Sequence, residues 1–413
     1  MKNKCKILPY SKSTRKNHID HRIRLDNIAN TLSCGEGGSS QSTCNFIKEE
    51  KTNGKVRLRT LTPTETEKLM GWPKNWTKFG IDASGKKYEI PEGARYRATG
   101  NGIVSTVPKT ILEKLLKDED QLKVMSTFSG VDGSTLLLDK KKFKKIGFAE
   151  FDPEKKKQHS SNILKYRYPK IRNFGDITKI DPTEIEPFDL MFASSPCQTF
   201  SSAGKRAGFS DTKGTLFEHV INLLESHKEC KYLFFENVKG LVDHDNGNTF
   251  LTILRAFSKA GFEVDFEICN SKHFGIPQAR ERVYLFGRRL DDNLQTKVNS
   301  ELSNPKDVKT NLQVIRMKER IRTEFQNEIN LKDFNIPLSN KSNTKPIEKL
   351  LDKDVSKEYY IKDHYVVDVL KDGIFIEDRI VMKTDKETKV PKPLSVKNSF
   401  SLFLADIRAK ENQ

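Results

Sequence analysis

Apolar positions in the middle of the chain come in short runs, and each run stops at a turn. Leu122–Phe128, Ile146–Phe151, Asp189–Ala193 and Tyr232–Glu236 predict strands. Val264–Cys269 and Arg282–Gly287 predict two later strands able to pair with each other. Between the runs, Leu216–Glu229 and Thr249–Ala260 carry helical spacing, and Pro153 is placed to open a further helix. Strand–helix alternation predicts an α/β fold with an open, mostly parallel, Rossmann-like sheet. Such sheets bind ligands beyond the carboxyl ends of their strands. Residues 1–60 show little helical period and include the Gly- and Ser-rich SCGEGGSSQST; residues 291–413 are polar and Lys-rich. Both flanks predict loops and small strands, such as Tyr359–Ile361 and Gly373–Glu377.

Charge adds a partner to this picture. Lys and Arg number 73 against 56 Asp and Glu, a net charge of +17. Residues 1–24 alone hold eight Lys/Arg and one Asp, so a polyanion such as nucleic acid is an expected partner. Lysine-rich composition alone also occurs without such a partner. No apolar run is long enough to span a membrane, and the first residues lack the apolar core of a secretory signal. The six cysteines show no CxxC spacing, so no metal site is expected and free thiols in a cytoplasm fit best.

Four constellations carry chemistry, and all lie at strand ends. Phe128–Ser134, FSGVDGS, is a strand–Gly turn–helix cradle, where Gly130 lets the backbone approach a ligand. Glu150 ends the next strand, the position of a carboxylate that holds ribose hydroxyls. Many such turns bind nothing. Cys197 follows Pro196 on a stiff turn and precedes a polar, glycine-bearing loop with Lys205 and Arg206. Buried inert cysteine is the commoner fate of the residue, but that loop suits closure over an anionic substrate. Glu236 ends an apolar strand, which is costly unless the acid has a partner or merely caps the next helix. Arg280 and Arg282 in QARER fall on one strand face by the period of two; surface ion pairing would explain them equally.

Taken in order, these segments resemble the DNA (cytosine-5) methyltransferase family. FSGVDGS, FAEFD, FGDITKI, SSPCQTFSSAG, KGTLF, FFENVKGL and QARERVYLFG are similar to seven of its motifs over residues 121–290. The resemblance implies S-adenosylmethionine as cofactor and double-stranded DNA as partner. It implies Cys197 as the nucleophile that adds to cytosine carbon 6 and makes carbon 5 reactive. Glu236 would donate a proton at ring nitrogen 3, Arg282 would contact oxygen 2, and Arg280 would support the site. Phe128, Gly130, Glu150, Asp176, Pro196, Leu216 and Asn101 would line the methyl donor's site. Gln198, Ser201, Lys205, Arg206 and Thr31 would serve DNA binding, on a cytosine flipped from the duplex. One departure stands out: Asp132 occupies the place of the motif's second glycine. Such a carboxylate would either bond the cofactor's amino group or weaken its binding.

The family's last two motifs come first here. VRLRTLTPTETEKLMGWPKNW (56–76) and RYRATGNGIVSTV (95–107) are similar to them, and Asn30-Thr31-Leu32 resembles part of a target-recognition domain. The order implies circular permutation, as in some bacterial and phage-type members. Pro108–Leu116, with Ile111, Leu112, Leu115 and Leu116 at helical spacing, ends five residues before Leu122, so neighbouring ends would make the rearrangement cheap. The expected division is 1–53 and 291–413 for a smaller, mostly β/loop recognition domain, 54–120 for the permuted motifs, and 121–290 for the catalytic and cofactor-binding part. A monomer is expected, with a restriction endonuclease as a genetic partner. Three other readings exist: an RNA cytosine methyltransferase, an inactive DNA-binding module, and an NAD-dependent oxidoreductase. The first would carry a CFT-type motif, the second would have lost Cys197 or Glu236, and the third needs GxGxxG; none of these is found.

Overall fold

The computed structural model describes residues 5–15, 18–24, 27–33, 43–50, 56–195, 215–299, 309–340, 344–360, 374–376, 379–384 and 391–393. Seven strands form the central sheet: β1 (Leu122–Thr127), β2 (Phe143–Ala149), β3 (Arg172–Asn173), β4 (Leu190–Ala193), β5 (Tyr232–Val238), β6 (Phe262–Asn270) and β7 (Glu281–Arg289). Their order is β3-β2-β1-β4-β5-β7-β6. β1 to β5 run parallel, and β7 lies antiparallel between β5 and β6. The winding reverses between β1 and β4, which opens a crevice at their carboxyl ends.

The sheet is apolar on both faces because it is covered on both. Val124, Phe192, Phe234 and Phe286 face one core, while Met125, Met191, Leu233, Phe235 and Leu285 face the other. Seven helices are used below: α1 (Pro63–Leu69), α2 (Glu92–Asn101), α3 (Thr106–Leu115), α4 (His159–Arg167), α5 (Thr215–Ser226), α6 (Asn248–Lys259) and α7 (Leu312–Glu324). Ile111, Leu112 and Leu115 of α3 close the first core; Val220 and Leu224 of α5, Phe250 and Leu254 of α6, and Val314 and Ile321 of α7 close the second. Among the described residues no helix is long and apolar enough to cross a membrane.

The segment ahead of β1 is built into this body. α1 starts with a capping box in which Thr62 and Glu65 exchange side-chain and backbone bonds, with Pro63 at its first turn. The indole N–H of Trp72 donates to the Ile103 carbonyl at 3.1 Å, and that of Trp76 to the Val131 carbonyl at 2.8 Å. Gly133 must be glycine, since a Cβ there would lie 2.9 Å from the Ile103 carbonyl oxygen.

Two expectations change. The helix expected from Pro153 begins at His159 instead. Asp152 forms a turn by accepting from the Glu154 N–H, and the Gln158 side chain binds the Asp152 backbone, so turn chemistry wins over the proline signal. The flank expected to hold loops and small strands contains the 13-residue α7, whose buried Val314, Met317 and Ile321 pack on the sheet. Of the alternating pieces, Ile374–Ile376 is a strand, whereas Lys357–Tyr359 is a 3-10 turn.

A second sheet draws on both flanks. Its strands run in the order Ile374–Ile376, Arg379–Thr384, His18–Arg24, Cys5–Arg15, Thr43–Glu50, Val56–Thr60, and Pro391–Pro393 pairs with Arg379–Thr384. All these pairings are antiparallel.

Candidate active site

The β1 end carries three left-handed residues in five: Phe128 (φ 51°), Gly130 (φ 55°) and Asp132 (φ 66°). An aromatic residue seldom adopts this conformation, and such strain is characteristic of ligand clamps. The Gly130 N–H donates to Glu150 Oε2 at 2.8 Å, so the β1 turn and the β2 end are joined. Burial pushes the Glu150 carboxyl up to about 7, against the Gly130 N–H, which favours its charge. A Cβ placed on Gly130 would meet nothing within 4 Å, so the turn faces open space. That opening, with a carboxylate beside it, fits a nucleoside-bearing cofactor.

Other expected cofactor residues sit on neighbouring elements. Asp176 caps the turn Ile177–Lys179 after β3 and accepts from the Thr178 N–H and hydroxyl. α5 packs against that turn and carries Leu216, which is half-buried on the core. Asn101 ends α2 on the exposed side. Phe151, not singled out as a site residue in the sequence, follows Glu150 and is 41% exposed. The sequence shows only an aromatic residue directly after a strand-end carboxylate; its exposure is visible in the structure alone.

On the other side of the crevice, Glu236 lies near the end of β5, 8% exposed. Antiparallel register sets Arg282 opposite Val238, and Arg282 Nε approaches Glu236 Oε1 to 3.4 Å. Burial raises the Glu236 pKa, and the Arg282 and Arg280 charges pull it back. Asn237 Nδ2 donates to the Ser195 carbonyl at 2.9 Å. Ser195 is the last described residue before the stretch that holds Pro196, Cys197, Gln198, Ser201, Lys205 and Arg206. These six expected site residues lie outside the described residues. Asn237 therefore fixes the backbone from which Cys197 departs.

Arg280 and Arg282 do not continue one regular strand face, because the pairing is interrupted at Arg280, between Gln278–Ala279 and β7. The buried Arg280 guanidinium donates to the carbonyls of Gly100 (2.9 Å), Gly102 (2.7 Å) and Leu32 (3.3 Å). Thr31 donates its hydroxyl to the Ala279 carbonyl at 2.9 Å, and Ala29–Asn30 pairs in parallel with Gln278–Ala279. Thr31 and Arg280 thus bind the chain together around the site. Asp132 does not aim at a ligand: it is fully buried, and its carboxylate accepts from Thr135 and Tyr168 and pairs with Lys145.

A family model for C-5 cytosine-specific DNA methylases matches residues 122–402. The orphan methyltransferase M.SPRI of Bacillus phage SPR is 37% identical over 255 residues, 61% of this chain and 55% of that protein. The type II methyltransferase M.NgoBI of Neisseria gonorrhoeae is 38% identical over 172 residues, 42% of this chain and 51% of its own. The chain spans about half the length of the curated relatives it matches. Among solved structures, the Entamoeba histolytica methyltransferase EhMeth aligns over 43% of this chain and 56% of its own at 21% identity and TM-score 0.31, too slight a likeness to carry weight.

Proposed function

Because this chain belongs to the C-5 cytosine-specific DNA methylase family, we propose that it methylates carbon 5 of a cytosine flipped out of a specific duplex DNA sequence, using Cys197. The observation that carries this reading is the junction at the β5 end: a buried Glu236 beside Arg282, with Asn237 gripping the backbone that leads to Cys197. S-adenosylmethionine supplies the electrophilic methyl group. Gly130, Glu150, Asp176, Leu216 and Asn101 would hold it, with Phe151 offering a ring to a flat base. Pro196 would stiffen the turn beside it.

The Cys197 thiolate adds to cytosine carbon 6, which pushes electron density toward carbon 5 and ring nitrogen 3. Glu236, whose carboxyl burial shifts toward the protonated form, donates a proton at nitrogen 3. Arg282 steadies oxygen 2, and Arg280 acts through the backbone it holds. Once carbon 5 carries the methyl group, a water molecule takes the carbon 5 proton, the released electron pair forms the 5–6 double bond and expels the Cys197 thiolate, and nitrogen 3 returns its proton to Glu236. Gln198 and Ser201 would shape the loop, and Lys205 and Arg206 would meet phosphates. Thr31 would set the recognition segment against the site.

The recognition lobe is assigned to the sheet drawn from both flanks, and the motif order to circular permutation. A bacterial or phage-infected cytoplasm, in restriction–modification or phage self-protection, is the setting this chemistry suits. The test is expression in a methylation-free host followed by bisulfite sequencing. Methylated cytosines at one sequence are expected, and Cys197→Ala should abolish them. Their absence, or their persistence in the variant, would sink the reading.

A further inference from the structure

Asp132 is a fully buried acid that no step above uses. It sits at φ 66°, where glycine is the easy residue and aspartate one of few tolerated substitutes. Its carboxylate is saturated by protein groups. Lys145 Nζ on β2 lies 3.1 Å away, and the Thr135 and Tyr168 hydroxyls donate to it. Lys145 also donates to the Thr135 carbonyl at 3.0 Å and stands 5.0 Å from the centre of the Tyr168 ring. That ring packs edge-on to Trp76, whose indole N–H holds the Val131 carbonyl. The reverse side of the β1 turn is therefore tied to β2, to the residue after α4 and to Trp76, while Gly130 on the same turn faces open space.

We infer that Asp132 is a positioning residue for the cofactor: bridging Lys145 and Tyr168, its carboxylate locks the left-handed turn so that Gly130 and Phe128 present a preformed cradle. The inference rests on reading that turn as the cofactor site. Alternating left-handed residues are costly, and a turn held that way only by the ligand would subtract its ordering from the binding free energy. With the anchor behind it, the turn is ordered before the ligand arrives. Asp132 so departs from glycine without touching the ligand.

The test measures S-adenosylhomocysteine binding by calorimetry, with steady-state kinetics on duplex DNA and melting temperature as companions. Asp132→Gly should weaken binding about tenfold and raise the KM for S-adenosylmethionine in step, with kcat at saturation changed by less than about twofold. Tyr168→Phe removes one hydroxyl and keeps the ring, so it folds where the first variant fails; about threefold weaker binding is expected. If both folded variants bind as the unaltered protein does and only melt lower, Asp132 is a packing group and the inference falls. If the unaltered protein binds no S-adenosylhomocysteine, the cradle reading itself fails first.

Discussion

Glu236 and Glu150 are both carboxyls that burial pushes toward the neutral form, and the proposed reaction sets them opposite tasks. In its proposed role Glu236 donates a proton; burial shifts it toward the neutral form and Arg282 at 3.4 Å pulls the other way. Glu236→Gln preserves shape and removes the transferable proton, so turnover should fall by about two to four orders of magnitude while cofactor binding persists. Single-turnover methylation of a duplex checks this. In its proposed role Glu150, pushed up to about 7, would have to be ionised to accept ribose hydroxyls. Cofactor affinity should therefore rise with pH through about 7 and flatten above it, and Glu150→Gln should erase the dependence; calorimetry across pH 6–8 decides. The stability term has the opposite sense: a raised carboxyl pKa favours the folded state at low pH, and that contribution is lost as pH rises through the folded value. The proposed chemical groups were legible because strand-end residues in a fixed order leave a readable string. Asp132 was not, because its inward aim depends on Lys145 and Tyr168, 13 and 36 residues away.

At the scale of elements, strands were legible and some connections were not. Apolar runs buried on both faces mark β1, β4 and β5 unmistakably. α7 was hidden because Leu312 and Ile315 are exposed and blur its stripe, although Val314, Met317 and Ile321 have helical spacing and Asn311 caps its start. Lys318 on α7 reaches Asp265 at 2.6 Å and Glu267 at 3.2 Å on β6, and both acids are buried. Lys318→Ala would leave those acids uncompensated, so a loss of about 3–5 kcal/mol in urea unfolding is expected. Thr62→Ala removes the α1 cap and the bond to Asp352, and should cost about 1 kcal/mol. A smaller effect for Lys318→Ala than for Thr62→Ala would show that the α7 ion cluster contributes little.

For the whole molecule, a net charge of +17 suits the proposed DNA partner, whose binding should weaken steeply with salt. Replacing Lys205 and Arg206 together by Ala should flatten the slope of log affinity against log salt by about 0.9 for each phosphate left without its cation. An unchanged slope would remove both residues from the DNA interface. The rotated motif order has its own test. Joining Gln413 to Met1 through a flexible linker and reopening between Leu116 and Leu122 should leave methylation intact, because α3 ends only a few residues before β1 and both flanks share one sheet. A rejoined protein that folds but does not methylate would count against permutation.

That shared sheet also bears on inheritance. The strand Arg379–Thr384 pairs with His18–Arg24, Arg379 opposite Arg24, so the seam joins stretches far apart in the sequence. A single crossover in recombination would exchange one side of that seam and keep the other, leaving two lineages' strands to match. On the assignment made above, a new target sequence would be acquired through point changes within the lobe or through replacement of both stretches in one event. It would not arrive as a contiguous cassette.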